Sequence, residues 1–247
     1  LLCVHLDTIN TSYNKEDMTV EDLRLGLDGT ISLQSNSTMN CLGADDRAGC
    51  YIVSELMERK VELAFLICDK EEVGGIGSRE AIEDDVVFAY IDDNVSAFVG
   101  LDRKGYNQIA LYGYESTEFE QEVLEDFFSK GYVEAMGTFT DASNLAGYTG
   151  ICCCNLSIGY YNEHTGNEYL DITQMWNCFL NVCCKLPKGL FNKQYLADNR
   201  MYGKYPYYDD YDISSFTSYY GEGAYSNSFN STKKSSILQA DTDYTFS

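Results

Sequence analysis

The sequence contains little histidine, few basic residues and no long apolar run. Its 247 residues include 2 histidines, and 17 lysines and arginines stand against 39 aspartates and glutamates, a formal net charge of −22. This balance argues against a nucleic-acid partner, because binding to phosphates depends on lysine and arginine. No apolar run reaches the roughly eighteen residues of a membrane span, so we predict no membrane association. Most of the carboxylates are expected to form a solvated surface, and some to bind metal.

The cysteines lack the spacing of a zinc ribbon. Ten are present, but no CxxC pair occurs, and Cys152, Cys153 and Cys154 are contiguous. Neighbours on a strand point to opposite faces, so this triplet cannot converge on one metal. We predict small buried residues of a reducing compartment and therefore a cytoplasmic protein. Because the chain begins within an apolar run and not with Met, we expect that an N-terminal portion is missing.

Apolar segments of strand type alternate with amphipathic segments of helix type along the chain. The predicted strands are 1–5, 61–69, 85–93, 96–102, 107–114 and 150–164, with a hairpin over 25–34. The predicted helices are 48–60, 117–131 and 171–186. Such alternation is typical of an α/β fold, and we predict a three-layer sandwich with a mixed, mostly parallel central sheet.

The composition changes near residue 188. Residues 1–187 are predicted to form one α/β domain. Residues 188–247 are rich in Tyr, Ser, Asp and Gly without sustained periodicity, and we predict a disordered or loosely docked tail.

Both histidines and several acids follow predicted strands or lie in the loops that leave them. Five segments contribute them: His5 with Asp7, Asp45 with Asp46, Glu71 with Glu72, Asp102, and His164. In an open α/β sheet, ligands bind at the carboxyl ends of the strands. We therefore expect these side chains to converge at one edge, although each motif alone also fits a structural histidine or a solvated loop.

Imidazoles and carboxylates without cysteine suit Zn²⁺, and equally Mn²⁺ or Co²⁺. Five ligands exceed the three that an open catalytic zinc takes, but they suit two metals about 3.5–4 Å apart that share one carboxylate and one water. Asp7 fits a supporting position, in which it accepts the distal N–H of His5 and orients the ring.

Five sequence motifs resemble the metal-site motifs of the di-zinc exopeptidases and occur in the same order. They are "HLDT", "LGADDRAG", "EEVGGIGS", "LDRKG" and "GYYNEHTGNEYL". The C-terminal block, "TDASNLAGYTGICCCNLSIGYYNEHTGNEYLDITQM" (140–175), is most similar to the tripeptidase (peptidase T) branch. The resemblance covers residues 1 to about 180. It implies that 1–187 is a metallopeptidase domain that binds two Zn²⁺ and hydrolyses short peptides.

The resemblance also implies roles for individual residues. Asp45 would bridge the metals, with a cis peptide bond between Asp45 and Asp46. One metal would be completed by His5 and Asp102, and the other by Glu72 and His164. The general base, which takes a proton from the water between the metals and passes it to the leaving amine, would be Glu71.

Three further residues in the matched blocks, Arg103, Asp141 and Asn162, are weaker candidates for substrate contact, and capping or packing is the favoured explanation for them. Only 38 residues separate Asp102 from Asp141. The lid or dimerisation domain of about a hundred residues that many relatives insert there is therefore missing, and substrate choice stays open.

Three alternatives to an aminopeptidase or tripeptidase remain. An amidohydrolase that deacylates N-acyl amino acids uses the same metal core. A binding module of the same fold that has lost its chemistry is a second alternative. The third is a fragment whose site does not assemble.

Overall fold

The computed structural model describes residues 1–9, 18–113, 115–128, 131–186 and 193–197, except the side chains of 126, 128 and 183–185. The strands are β1 Leu2–His5, β2 Leu23–Leu25, β3 Thr30–Leu33, β4 Phe65–Cys68, β5 Phe98–Arg103, β6 Gln108–Leu111, β7 Val133–Met136, β8 Cys153–Ser157, β9 Tyr160–Tyr161 and β10 Tyr169–Asp171. The helices are α1 Ala44–Glu58, α2 Ile76–Glu83, α3 Asp85–Asn94, α4 Thr117–Phe128, α5 Asp141–Thr149 and α6 Ile172–Lys185, with a short 3-10 helix at Val20–Asp22.

A six-stranded sheet of order β4-β1-β5-β8-β6-β7 forms the middle layer. All neighbouring pairs are parallel except β6 and β8, which are antiparallel. Helices α1, α4 and α6 contribute to the core on one face, and α3 and α5 to the core on the other. The predicted α/β fold with a mixed, mostly parallel sheet is therefore confirmed.

A second, antiparallel sheet of order β2-β3-β10-β9 includes the predicted hairpin. Its β9 and β10 pair with each other, and the turn between them contains His164. The expectation of one strand running from 150 to His164 is wrong. The strand β8 ends at Ser157, because Gly159 has a positive φ of 96° and the chain there leaves the large sheet for the small one.

The cysteine triplet lies in β8 and just before it, and its side chains alternate between the two faces of the sheet. Cys152 and Cys154 belong to the core on one face, and Cys153 to the core on the other. All three are buried. The prediction that the triplet serves packing, and does not converge on one metal, agrees with this placement.

The segment 85–93, predicted as a strand, forms helix α3. The carboxylate of Asp84 accepts hydrogen bonds from the backbone amides of Val86 (2.9 Å) and Val87 (3.0 Å), which caps the helix. Val87 and Ile91, four residues apart, pack into the core. The run of strand-favouring residues is therefore overridden by the cap and by a helical apolar face.

Further parts of the chain differ from the sequence expectations or fall outside the described residues. Strand β7 and helices α2 and α5 were not predicted. Of the expected tail 188–247, only 193–197 is among the described residues, and there Tyr195 is buried against the sheet, with its backbone bonded to Ser96 and Cys152. Residues 11–24, which their polar and acidic sequence predicts as a loop, lie in part outside the described residues. None of the described helices combines the length and apolar character that a bilayer crossing demands.

Candidate metal centre

The site is built on the carboxyl ends of the parallel strands. His5 is the last residue of β1, Asp102 lies near the end of β5, and Glu71 and Glu72 follow β4. Because β4, β1 and β5 are adjacent and parallel, these residues reach the same edge of the sheet. The predicted convergence of the strand-end residues is therefore found in the structure.

His5 is the most buried of these residues, with 1% of its surface exposed. Its Nε2 lies 3.2 Å from Asp45 Oδ1 and 3.6 Å from Asp102 Oδ1. Its Nδ1 lies 2.8 Å from the backbone carbonyl oxygen of Asp7 and 3.5 Å from the Asp7 carboxylate. Asp7 therefore orients the His5 ring as predicted, but the contact at hydrogen-bond distance is made by its main-chain carbonyl and not by its carboxylate.

Asp45 lies between the two histidines. Its Oδ1 faces His5, and its Oδ2 lies 3.2 Å from His164 Nε2. The peptide bond between Asp45 and Asp46 is cis, as the resemblance implied, and the helix that begins at Ala44 is non-helical at both residues. Imidazoles 159 positions apart in sequence are in this way joined through a single carboxylate.

His164 reaches the site from the turn between β9 and β10. It is partly exposed, and its Nε2 lies 2.8 Å from Glu72 Oε1. The turn places both Asn162 and His164 at positive φ, 56° and 63°. The imidazole therefore has two carboxylate neighbours, those of Asp45 and Glu72.

The loop after β4 is held by the side chain of Asp7. One carboxylate oxygen of Asp7 accepts from the Glu71 amide at 3.0 Å and the other from the Glu72 amide at 3.1 Å. Glu71 Oε2 then lies 3.9 Å from His5 Nε2. Asp7 consequently fixes the backbone that carries both glutamates.

Asp102 is held by residues that the sequence analysis did not single out. Thr140 Oγ1 donates to its Oδ2 at 2.9 Å, and the Tyr160 hydroxyl donates to its Oδ1 at 3.3 Å. The side-chain amide of Asn155 bonds both the backbone N–H and the C=O of Asp102, at 3.0 and 2.9 Å. No periodicity marks these residues, although all of them lie in the block that carries the C-terminal resemblance.

Asp46 is fully buried behind the site. Its carboxylate accepts from the backbone amides of His5 and Gly49, each at 3.1 Å. Ligand atoms of His5, Asp46 and Asp102 lie within 4.8 Å of one another, as do those of His5, Asp45 and Glu72. Because both oxygens of Asp46 already accept backbone hydrogen bonds, Asp45 is the better ligand of the two.

Two buried atoms indicate that the site fits metal ions. His5 Nε2 and Asp45 Oδ1 are buried without a hydrogen-bond partner among the described residues. An unpartnered buried polar atom is costly, and such atoms are rare in folded proteins. Because both atoms point into a cluster of imidazole and carboxylate groups, a bound cation would supply the missing interaction.

The histidines are shifted toward their protonated forms. Burial opposes protonation of His5, but the carboxylates of Asp102 and Asp45 outweigh it, and the pKa of His5 rises well above its usual range. Hydrogen bonds to Asp45 and Glu72 raise the pKa of His164 to about 10. Burial disfavours the ionised form of Asp45, but the two imidazoles more than offset it and hold its pKa well below the usual range.

Two carboxyl groups are shifted in the opposite direction. Burial and the charge of Asp45 raise the pKa of Asp102 to about 7. Burial and the charge of Asp102 raise the pKa of Glu71 to about 9. Crowded carboxylates therefore hold protons in the metal-free site, and cations can take the place of those protons.

We expect the metal-free protein to lose stability as the pH rises from about 5 to 9. The folded-state pKa values of Asp102, Glu71 and His164 all exceed those of the unfolded chain, near 4 for the acids and 6.5 for histidine. The folded protein thus binds more protons, and this advantage is lost as each group titrates. The lowered pKa of Asp45 acts only below about pH 4, where its unfolded value lies.

Denaturant unfolding in a chelator, at several pH values across this window, measures the effect. Added zinc is expected to stabilise the protein more at high pH, because its ligands must be deprotonated. A His164→Ala variant should show a shallower pH dependence between pH 6.5 and 10. Metal-free stability that rises across the window would contradict this electrostatic description.

Gly49 leaves no room for a side chain beside Asp46. An added Cβ would lie 2.3 Å from Asp46 Oδ1 and 2.3 Å from the Leu101 carbonyl oxygen. We expect Gly49→Ala to destabilise the protein by about 1–3 kcal/mol through overpacking, although alanine favours helices. The control is Gly147→Ala in α5, where nothing lies within 4 Å and a gain of about 0.5–1 kcal/mol is expected. Denaturant unfolding compares the two, and equal effects would contradict the steric argument.

Of the three weaker candidates, Arg103 and Asn162 have hydrogen-bond partners within the protein, and Asp141 is buried. Arg103 donates from Nε and Nη2 to Gln108 Oε1, at 3.1 and 2.9 Å. Asp141 is buried in the first turn of α5, and burial raises its pKa. The side-chain amide of Asn162 donates to the Asn167 carbonyl at 3.3 Å. Substrate contact by these residues stays a prediction.

No model of a known protein family matches the sequence, and no curated protein does. Solved structures with a similar fold include an aminopeptidase, PepT, from Bacillus cereus, with 15% identity over 76% of this chain and 79% of that chain and a TM-score of 0.52. A tripeptidase from Staphylococcus aureus has 14% identity over 78% and 80%, with a TM-score of 0.56. An aminopeptidase from the archaeon Desulfurococcus kamchatkensis has 18% identity over 68% and 51%, with a TM-score of 0.50. The chain has the α/β fold of these aminopeptidases.

Proposed function

We propose that this protein is a two-metal exopeptidase that removes residues from short peptides. The observation that carries the proposal is the position of Asp45, whose two oxygens each lie 3.2 Å from a different histidine. A carboxylate so placed suits a bridge between two cations, which two-metal hydrolases hold about 3.5–4 Å apart.

The proposed ligands would divide between two metals according to their proximity. His5 and Asp102 would hold one ion, Glu72 and His164 the other, and Asp45 both. Nitrogen and oxygen ligands without sulfur suit Zn²⁺, with Mn²⁺ or Co²⁺ as alternatives. When bound, the metals lower the pKa of water and polarise the scissile carbonyl.

Glu71 is proposed as the general base. It takes a proton from the attacking water and delivers it to the leaving amine, so that it is regenerated with each turnover. Its position supports this role, because its carboxylate reaches the site edge 3.9 Å from His5 Nε2 while its backbone amide is fixed by Asp7. In the metal-free protein, burial and the charge of Asp102 raise the pKa of Glu71 to about 9, which is the direction of proton uptake.

The choice of a substrate with a free amine is proposed from the folds of the similar proteins, because the charges of the site do not select it. Two divalent cations would offset the carboxylates of Asp45, Glu71, Glu72 and Asp102, which all face one small region. The similar folds of the aminopeptidase PepT and of a tripeptidase agree with this choice. Deacylation of N-acyl amino acids is the alternative on the same metals.

A comparison of three substrates tests the proposal. With zinc added, we expect hydrolysis of trialanine, and little of N-acetyl-trialanine or N-acetylalanine. Preference for N-acetylalanine would favour the deacylase. Absence of turnover on all three with metals bound would favour a non-catalytic binding module.

A further inference from the structure

We infer that Glu168 is a positioning residue, which holds the start of helix α1 so that the Asp45 carboxylate points between the two histidines. This inference rests on the proposed function, because Asp45 is the shared metal ligand only if the protein binds two metals. Glu168 belongs to none of the roles assigned above and touches none of the proposed reacting atoms.

The contacts of Glu168 account for both of its oxygens. Its Oε2 accepts from the Gly43 amide at 2.7 Å, and its Oε1 accepts from the Asp45 amide at 3.1 Å. The residue is only 1% exposed. The buried carboxylate of Glu168 therefore binds two backbone amides, and one of them belongs to Asp45, the proposed bridging residue.

The backbone just before the regular part of helix α1 needs such an external partner. Asp45 and Asp46 have non-helical backbone angles, and the Asp46 carboxylate already accepts from the Gly49 amide, as a helix cap does. The Gly43 and Asp45 amides precede this cap, and Gly43 makes no side-chain cap bond of its own. Glu168 supplies the acceptors for these two amides from 125 and 123 residues further along the chain.

The same turn supplies a metal ligand. Glu168 follows His164 by four residues, and its amide donates to the Thr165 carbonyl at 3.1 Å. One segment thus presents His164 to Asp45 Oδ2 and also fixes the backbone of Asp45. Glu168 therefore sets the distance between two ligands that come from different parts of the chain.

The test compares Glu168→Ala and Glu168→Gln with a matched control. Glu115 is also buried and binds two backbone amides, those of Tyr112 (2.9 Å) and Gly113 (2.8 Å). It follows β6, which runs antiparallel to β8, so it lies at the end of the sheet opposite to the site. Glu115→Ala therefore removes the same kind of interaction far from the metals.

Two measurements are made on each protein. Backbone amide exchange of the metal-free protein, resolved by NMR, reports on Gly43 and Asp45 directly. Zinc affinity is measured by competition with a chromophoric chelator. We expect Glu168→Ala to abolish the protection of both amides and to weaken zinc binding about 10–100-fold, as removal of groups behind metal ligands does.

The two remaining variants distinguish positioning from general stability. Glu168→Gln, which keeps an acceptor oxygen, should retain protection of one amide and bind zinc with intermediate affinity. Glu115→Ala should lower stability but leave zinc affinity unchanged. If Glu168→Ala does not fold, the glutamine variant alone decides by the same two measurements.

Specific outcomes overturn the inference. Zinc affinity in the Glu168 variants within twofold of the wild type would do so, as would equal losses in the Glu168 and Glu115 variants. If the wild type binds no zinc, the proposed function fails. In that case amide exchange of Glu168→Ala still tests whether Glu168 holds this backbone. Unchanged protection of the Gly43 and Asp45 amides would overturn that role, and lost protection would support it.

Discussion

Replacement of Glu71 by glutamine is expected to lower kcat about 10²–10⁴-fold, which is the usual contribution of a general acid–base group. Glutamine has nearly the same shape but cannot accept the proton of the attacking water. The backbone amide of Glu71 keeps its bond to Asp7, so the loop should remain in place. Neither metal is expected to leave, because Glu71 is not among the proposed ligands.

Steady-state kinetics on trialanine, together with elemental analysis of the same sample, measures this. The matched control is Glu80→Gln, which removes an exposed carboxylate from the following helix, α2, and should leave kcat unchanged. If Glu71→Gln retains kcat within about threefold of the wild type, then another group acts as the base and the proton path proposed here is wrong.

Asp45→Asn is expected to remove both metals and with them all measurable hydrolysis. The amide has the same shape as the carboxylate but no charge, so two cations would lose the anion that lies between them. Both histidines would also lose the charged carboxylate that lies 3.2 Å from each of them. Metal content should fall from about two equivalents to near zero after gel filtration.

Elemental analysis of three variants separates a bridging ligand from a terminal one. Glu72→Ala, which affects one metal only, should retain about one equivalent. Asp69→Asn, which alters an exposed carboxylate just after β4, should retain about two. An Asp45→Asn variant that keeps one metal firmly bound would show that Asp45 serves a single ion.

Several elements of the fold could be predicted because their signals are local. Residues 1–4 form a continuous apolar run, and a strand buried on both faces requires such a run. The hairpin is predicted by the turn signal Asp28-Gly29, and Gly29 adopts a positive φ of 83°. Helix α3 was missed because its signal, the cap at Asp84, is a single residue before a strand-like run.

The site was predicted in part for a different reason. His5, Asp102 and the Glu71–Glu72 pair follow apolar strands, so topology alone brings them to one edge. The proposed bridging role of Asp45 came from the resemblance, because that residue lies at the start of helix α1 and follows no strand of the large sheet. Its cis bond to Asp46 has no signal in composition or periodicity.

The groups that support the ligands could not be predicted because tertiary contacts define them. Thr140 and Tyr160 bond Asp102 across 38 and 58 positions of sequence. Glu168 bonds Asp45 across 123. A glutamate four residues after His164 is visible in "HTGNE", but nothing in the sequence shows that its oxygens bind the backbone of another loop.

The central claim is that Asp45 bridges two cations held between His5 and His164. A crystal of the zinc-loaded protein, measured at the zinc absorption edge, tests it most directly. We expect two anomalous peaks about 3.5–4 Å apart, one on each side of the Asp45 carboxylate. A single peak, or peaks that do not contact Asp45, would contradict the account.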